Sequence, residues 1–258
     1  MSAVMPQARE NLELCIPRPG QAWSQSQLDA VNPCLENKTA PERVQWALDF
    51  LPDNPVMTSS FGAQSAVLLH LVTRLKPSIP VVLIDTGYLF PETYDFIDHL
   101  TERLSLDLRI FRPRLSPAWQ ERRFGRQWED GAEGIRRYNQ INKVEPMQEA
   151  LVSLDVGTWF SGLRRVQSRS RAATPVLQRQ GESIKVHPLA DWTDRDIHQY
   201  LKAHDLPYHP LWDQGYVSIG DVHTTRPLTA DITEEETRFF GLLRECGINE
   251  PEHFQSSR

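Results

Sequence analysis

Between residues 56 and 72 the chain changes period. Val56 and Met57 make a short apolar segment that runs into Ser59, Ser60 and Gly62. Leu68, Leu71, Val72 and Leu75 then recur at i, i+3, i+4 and i+7, the stripe of an amphipathic helix. The pattern predicts a strand, a tight turn and a helix N-terminus. Backbone N–H groups and the positive end of a helix dipole make such a turn suited to anions. Ser59, Ser60 and Ser65 add hydroxyl donors, and Gly62 lets a phosphate approach the backbone. No Gly-Lys-Ser/Thr follows the glycine, so this is not a Walker loop. An ordinary strand-to-helix connection would share the pattern, and the segment alone leaves both readings open.

The same alternation continues on either side. Thr39 can cap a helix from Pro41 that turns Val44, Ala47, Leu48 and Leu51 to one face. Residues 80–85 are a continuous apolar run ended by Asp85, the signature of a central parallel strand. A turn at 86–91 leads to a helix from about Glu92, with Ile97, Leu100 and Leu104 inward. Leu106, Leu108 and Ile110 then alternate with Asp107 and Arg109, which predicts a half-buried strand. Residues 112–145 have no clean period and suit short helices. A strand is expected over 157–161 and an extended segment over 184–189. A capping box at Thr193–Asp196 opens a helix with Ile197, Tyr200 and Leu201 inward. The segment after Pro210 reads as loop until a charged helical stretch over 234–244. Strands alternating with helices predict an α/β fold, a doubly wound, mostly parallel sheet with helices on both faces. Three regions are expected: a loosely packed extension (1–40) with one short helix, a nucleotide-binding domain (41–230) and a mobile C-terminal tail (231–258).

Composition narrows the function classes. The 258 residues, 40% hydrophobic and 24% charged, suit one large soluble domain. A net charge of −6 argues against broad nucleic-acid binding, and no apolar run has the length of a membrane span. The first residues lack the order of a secretory signal, and three cysteines (Cys15, Cys34, Cys246) fit a reducing cytoplasm. Ligands of open α/β sheets collect beyond the carboxyl ends of the strands. Three such ends are polar here: Ser59-Ser60, Asp85-Thr86-Gly87 and Ser161-Gly162. Just after the third come Arg164, Arg165, Arg169 and Arg171, four arginines within eight residues of an acidic chain. Guanidinium groups suit phosphate and sulfate oxygens, although a solvated basic face has the same composition. Cys246 follows Arg244 by two residues, a setting in which a cation can favour a thiolate nucleophile, although a lone cysteine can also be inert. His204 and His209 form no metal-site pattern, and His223-Thr224 reads as a structural turn on pattern alone.

Several motifs in order resemble one family. Ser59-Ser60-Phe61-Gly62-Ala63-Gln64, the run from Asp85-Thr86-Gly87 to Tyr94, Lys143-Val144-Glu145-Pro146, Trp159-Phe160-Ser161-Gly162-Leu163-Arg164-Arg165, His223-Thr224-Thr225-Arg226 and Glu245-Cys246-Gly247 are similar to those of the assimilatory phosphoadenylyl-sulfate (PAPS) reductases. The likeness spans about residues 40–250. It implies an adenine nucleotide α-hydrolase-like fold with a modified PP-loop at 59–64. It implies reduction of PAPS to sulfite and adenosine 3′,5′-bisphosphate through an S-sulfonate on Cys246. Thioredoxin or glutaredoxin would supply the electrons, and the resemblance suggests a cytoplasmic homodimer. The implied substrate contacts are Ser59, Ser60, Phe61, Gly62 and Gln64 from the loop, and Asp85, Thr86 and Gly87 from the second strand end. Lys143, Gly162, Arg164, Arg165, Gln167, Ser168 and Arg171 follow, then His223, Thr224 and Arg238.

Sister enzymes that reduce unphosphorylated adenylyl sulfate (APS) carry an iron–sulfur cluster on four cysteines. Tyr138, Asn139, Asp221 and Thr224 stand at those positions here, and three cysteines cannot complete a four-cysteine cluster. No cofactor or metal is therefore expected, and the arginine segment is expected to reward the extra phosphate of PAPS. Two departures matter. The family tail commonly reads Glu-Cys-Gly-Leu-His, whereas Ile248 and Asn249 stand here. Val166 and Arg169 also replace a usual glutamate and a frequent small residue. An ATP pyrophosphatase with a related loop, or a non-catalytic nucleotide sensor, are the competing readings.

Overall fold

A computed structural model describes residues 16–17, 21–243 and 245–249. Cys15 and Arg244, together with residues 1–14 and 18–20 of the expected extension, lie outside the described residues. Six strands form one sheet, β1 (Pro55–Thr58), β2 (Pro80–Ile84), β3 (Asp107–Phe111), β4 (Thr158–Phe160), β5 (Leu177–Gln180) and β6 (Ser183–Val186), in the order β3-β2-β1-β4-β6-β5. All neighbours are parallel except β5 and β6, which pair antiparallel.

The two-residue period of the strands divides the core into two layers. Met57, Val81, Leu83, Phe160, Ile184 and Val186 enter one layer. There they meet α1 (Gln25–Glu36), α2 (Ala40–Phe50), α3 (Ala66–Leu75), α4 (Pro91–Leu104) and α8 (Asp194–Ala203). Val56, Val82 and Trp159 enter the other, against Val144, Met147 and Ala150 of α7 (Glu145–Ser153) and its preceding turn. The expected doubly wound sheet with helices on both faces is the fold observed. Between β3 and α7 lie α5 (Pro117–Phe124), a 3-10 turn, α6 (Gly131–Asn139) and a π turn over Gln140–Val144, the short helices anticipated there.

The caps were well signposted. Glu42 accepts the Thr39 N–H at 2.8 Å and Asp196 accepts the Thr193 N–H at 2.8 Å, closing both helix starts. Four expectations change. The segment before residue 40 carries a full twelve-residue helix, α1, whose Leu28, Val31 and Leu35 are wholly buried in the main core. Of the stretch expected to be helical over 234–244, the described residues 234–243 do not form an α-helix: two 3-10 turns, Glu234–Thr237 and Phe239–Gly241, break where Phe239 and Phe240 take left-handed φ values of 49° and 57°. Ile110 is exposed on β3, which is an edge strand of the sheet. Leu75, last in the α3 stripe, is exposed as well, while Val67 and Leu69 widen the buried face.

Candidate active site

The loop after β1 is built from the inside. Ser59 N–H donates to Val82 O at 3.1 Å, which carries the strand register one residue further. Phe61 then turns into the core, fully buried with φ at 48°, and its N–H donates to Ser59 Oγ at 3.1 Å. The strained residue is thus Phe61, and burial of its ring offsets the strain. Gly62 is at no such limit, since a Cβ there would sit 3.5 Å from Ile219 O and Ser60 Oγ, an ordinary contact. Ser65 closes the turn onto Gly62 O at 3.1 Å, yet its own hydroxyl is buried without a hydrogen-bond partner among the described residues. An orphaned hydroxyl at the start of α3 is a donor waiting for an acceptor.

This loop borders a cavity of about 340 Å³ at the carboxyl ends of β1, β2 and β4. The structure brings twelve of the expected residues to its wall: Ser59, Ser60, Gly62, Gln64, Thr86, Lys143, Gly162, Arg164, Gln167, Arg171, Arg238 and Cys246. A smaller cavity of about 170 Å³ adjoins it, and Gln64, Arg164, Gln167, Arg171, Arg238 and Cys246 line both. Half-buried Cys246 therefore stands where the two meet.

Each cation is held by a named partner. Lys143 Nζ lies 2.6 Å from the wholly buried Asp221 Oδ2, and Thr86 Oγ1 donates to Asp221 Oδ1 at 2.6 Å. Burial pushes the Asp221 carboxyl up, but Lys143 and the Thr86 hydroxyl overcome it and hold it below the usual range. Asp221 reaches this place because Val222 N–H donates to Tyr88 O at 2.9 Å, tying the late loop to the end of β2. Arg164 donates to Gln64 Oε1 at 2.6 Å and to Asp194 Oδ1 at 2.8 Å, so it bridges the loop to the N-terminus of α8. Arg171 grips Glu245 with two parallel bonds, Nε to Oε1 at 2.7 Å and Nη2 to Oε2 at 2.6 Å, next to Cys246 in the chain. Arg238 donates to Ile219 O at 3.2 Å and lies over Gly220, where a Cβ would come within 2.2 Å of its Nη2.

The other seven expected residues stand off the cavity walls. Phe61 is the core anchor just described. Asp85 is occupied by its own turn: it accepts from Gly87 N–H at 2.9 Å, Tyr94 OH at 2.8 Å and Arg112 Nε at 2.8 Å. Gly87, at φ 76°, packs so close to Pro117 that a Cβ would meet it at 2.7 Å. Arg165 turns to α1, where Glu36 accepts from it, and donates to Thr174 O at 2.8 Å. Ser168 pairs with Ser170 at 2.8 Å. His223 stacks on Trp128 at 3.7 Å, and burial brings its imidazole down to about 4, so it is neutral near pH 7. Thr224 is buried beside it.

Two partners escaped the sequence reading, Asp221 as the counter-ion of Lys143 and Lys185 beneath the tail. Lys185 left one sequence signal, a lysine between Ile184 and Val186 in a strand buried along its whole length. Among the described residues no group of three or more His, Cys, Asp or Glu could hold a metal ion, and no helix is long and apolar enough to cross a membrane.

Comparison with known proteins points one way. The family model of the phosphoadenosine phosphosulfate reductase domain matches residues 54–227. The chain is 63% identical over 223 residues to a phosphoadenosine 5′-phosphosulfate reductase of Xanthomonas axonopodis pv. citri (strain 306), covering 86% of this chain and 92% of that protein. It is 61% identical to the one from Alkalilimnicola ehrlichii, covering 90% and 95% respectively. The crystal structure of PAPS reductase from Candida auris, a phosphate complex, superposes with a TM-score of 0.70 at 30% identity, covering 80% of this chain and 99% of that one.

Proposed function

The chain belongs to the phosphoadenosine phosphosulfate reductase family, and from that premise we propose that it reduces PAPS to sulfite with Cys246 as the nucleophile and thioredoxin or glutaredoxin as electron donor. One observation carries the reading: Cys246, brought in by the tail, lines the same cavity as the loop after β1 and four cationic side chains.

The Cys246 thiol first loses its proton to solvent. Its sulfur attacks the sulfonyl sulfur of PAPS, an S–S bond forms, and the S–O bond to the 5′-phosphate breaks with its electron pair on the phosphate oxygen. Adenosine 3′,5′-bisphosphate leaves and an S-sulfonate remains on Cys246. A thiolate of the dithiol donor then attacks Cys246 sulfur, and sulfite departs with the bonding pair. The donor's second thiol resolves the mixed disulfide, restores the Cys246 thiol and leaves the donor oxidised.

The leaving group is already a stable anion, so catalysis falls on alignment and charge neutralisation. Ser65 Oγ and the backbone beside Gly62 suit a phosphate oxygen. Arg164 and Arg171 each carry five N–H donors, and Lys143 three, so their protein partners leave donors for a substrate. Two oxidation equivalents leave with the donor disulfide, which requires no metal.

The test is product chemistry. Wild type incubated with PAPS alone should gain one sulfonate mass on the peptide holding Cys246, and should release sulfite when reduced thioredoxin is added. Cys246→Ser should make neither while binding adenosine bisphosphate normally. An adduct on Cys15 or Cys34, or pyrophosphate release from ATP without sulfite chemistry, would overturn the reading.

A further inference from the structure

Lys185 lies on β6 between Ile184 and Val186, whose side chains enter the helix-rich layer. Strand alternation therefore sends the lysine to the opposite face. It is fully buried there, its Nζ 3.7 Å from the centroid of the Trp159 ring. Nζ donates to Asn249 Oδ1 at 2.6 Å and lies 3.5 Å from Ile248 O. From the neighbouring strand, Gln180 Nε2 donates to the same Ile248 carbonyl at 2.8 Å. Arg171 holds Glu245 on the other side of the cysteine. Cys246 is thus gripped before and behind, and the rear grip comes from the floor of the sheet.

We propose that Lys185 is a positioning residue for Cys246, and that its buried hydrogen bond to Asn249 seats the tail so that the cysteine sulfur faces the nucleotide cavity. The inference rests on the reading of Cys246 as nucleophile and adds the device that aims it. A buried lysine is costly, and an apolar residue of similar length would fill the space more cheaply. Among the described residues 245–249, Ile248 alone packs on a core layer, so apolar contact gives this segment little to hold it. A charge-assisted bond to Asn249 supplies what packing does not. An asparagine amide oxygen accepts from an ammonium without carrying a proton of its own.

The ionisable groups facing Lys185 are Cys246 and Glu245 from the tail, Arg171 from the turn after β4, and the buried His187 just past the end of β6. Burial brings the lysine down to about 7; Cys246 and Glu245 oppose the fall and Arg171 adds to it. The grip is strongest while the amine is charged, and it loosens as pH rises through neutrality.

The experiment separates seating from binding. Lys185→Met, Asn249→Leu and the double variant are compared with wild type in single-turnover formation of the Cys246 S-sulfonate from PAPS, alongside adenosine bisphosphate binding. Each single variant should slow sulfonation about tenfold to a hundredfold, the range of one charge-assisted hydrogen bond, with nucleotide affinity within about twofold. The double variant should be no slower than the slower single, because the two changes break one bond. Unchanged sulfonation in either single variant, or losses that multiply in the double, would overturn the proposal. Asn249 is half-buried in the tail, so Asn249→Leu keeps the test alive if Lys185→Met does not fold. If wild type forms no adduct on Cys246, the reading of the nucleophile has failed; if wild type forms it and the variants match, only the seat has.

Discussion

Two buried lysines serve this site, and they are held in opposite ways. Lys143 sits on the cavity wall against a buried carboxylate, Asp221, that cancels its charge. Lys185 sits beneath the tail with an amide oxygen, a carbonyl and an indole ring for company. The first arrangement is a closed pair: removing either partner strands the other. The second is a charge whose attraction is directed at one short segment of chain. A charge that must stay fixed is paired inside the fold, whereas a charge that must hold a tail has its partner on the tail.

Lys143→Met would break the comparison hardest. It leaves the Asp221 carboxylate buried without its cation, a change worth about 3–5 kcal/mol of stability. Urea unfolding at pH 7 measures it. The pH dependence has a definite sign. The folded carboxyl sits below its unfolded value of 3.8, so the pair's contribution is present above that value and is lost as pH falls through the folded one. The variant should lose that acid-side slope along with its stability at pH 7. A variant as stable as wild type would mean that the pair carries no strain-free advantage and that the two lysines are alike.

Lys185→Met should move stability the other way. The folded amine sits near 7 against 10.5 in the unfolded chain. Between those values the unfolded chain holds a proton that the folded chain has shed, so wild-type stability rises with pH over that window. Methionine removes the cost of burying the charge. The variant's melting temperature should exceed that of wild type by a few degrees below about pH 7, by the usual conversion for a domain of this size, and the gap should close towards pH 10. Greater stability together with slower sulfonation would mark Lys185 as a functional charge. Lower stability at every pH would make it a structural one.

Much of this was legible beforehand because the signals were local. The loop at 59–65, the capping boxes at Thr39 and Thr193 and the apolar run of β2 each depend on neighbours within a few residues. What stayed hidden depends on distance or on conflict between signals. Ser24 and Gln27 form a capping box for α1, with Gln27 accepting the Ser24 N–H at 2.8 Å, but Pro33 and the surrounding prolines read as loop. The acidic run at 234–237 has helical composition, yet left-handed Phe239 and Phe240 end any helix there. Strand β5 is half polar, with Gln178 and Arg179 partly exposed at the sheet edge, and shows no apolar run. The pairs Lys143–Asp221 and Arg171–Glu245 join segments that only the folded chain brings together.

The smallest predicted effect separates two arginines that the sequence placed in one cluster. Arg171 reaches the tail and Arg165 reaches helix α1, so their alanine variants should fail differently. Arg171→Ala removes the bidentate grip on Glu245, and single-turnover sulfonation of Cys246 should slow by about tenfold or more, by the scale of a bidentate charged contact. Arg165→Ala breaks an ion pair with Glu36 that is partly open to solvent, with side-chain exposures of 25% and 36%. Water screens such a pair, so about 1 kcal/mol of stability is the expected loss, visible as a small shift in urea midpoint. The ratio of catalytic efficiencies for PAPS and APS should stay at the wild-type value in Arg165→Ala, because its guanidinium points away from both cavities. If that ratio falls instead, Arg165 must leave Glu36 when substrate binds, and the charge that fastens α1 would also be reading the nucleotide.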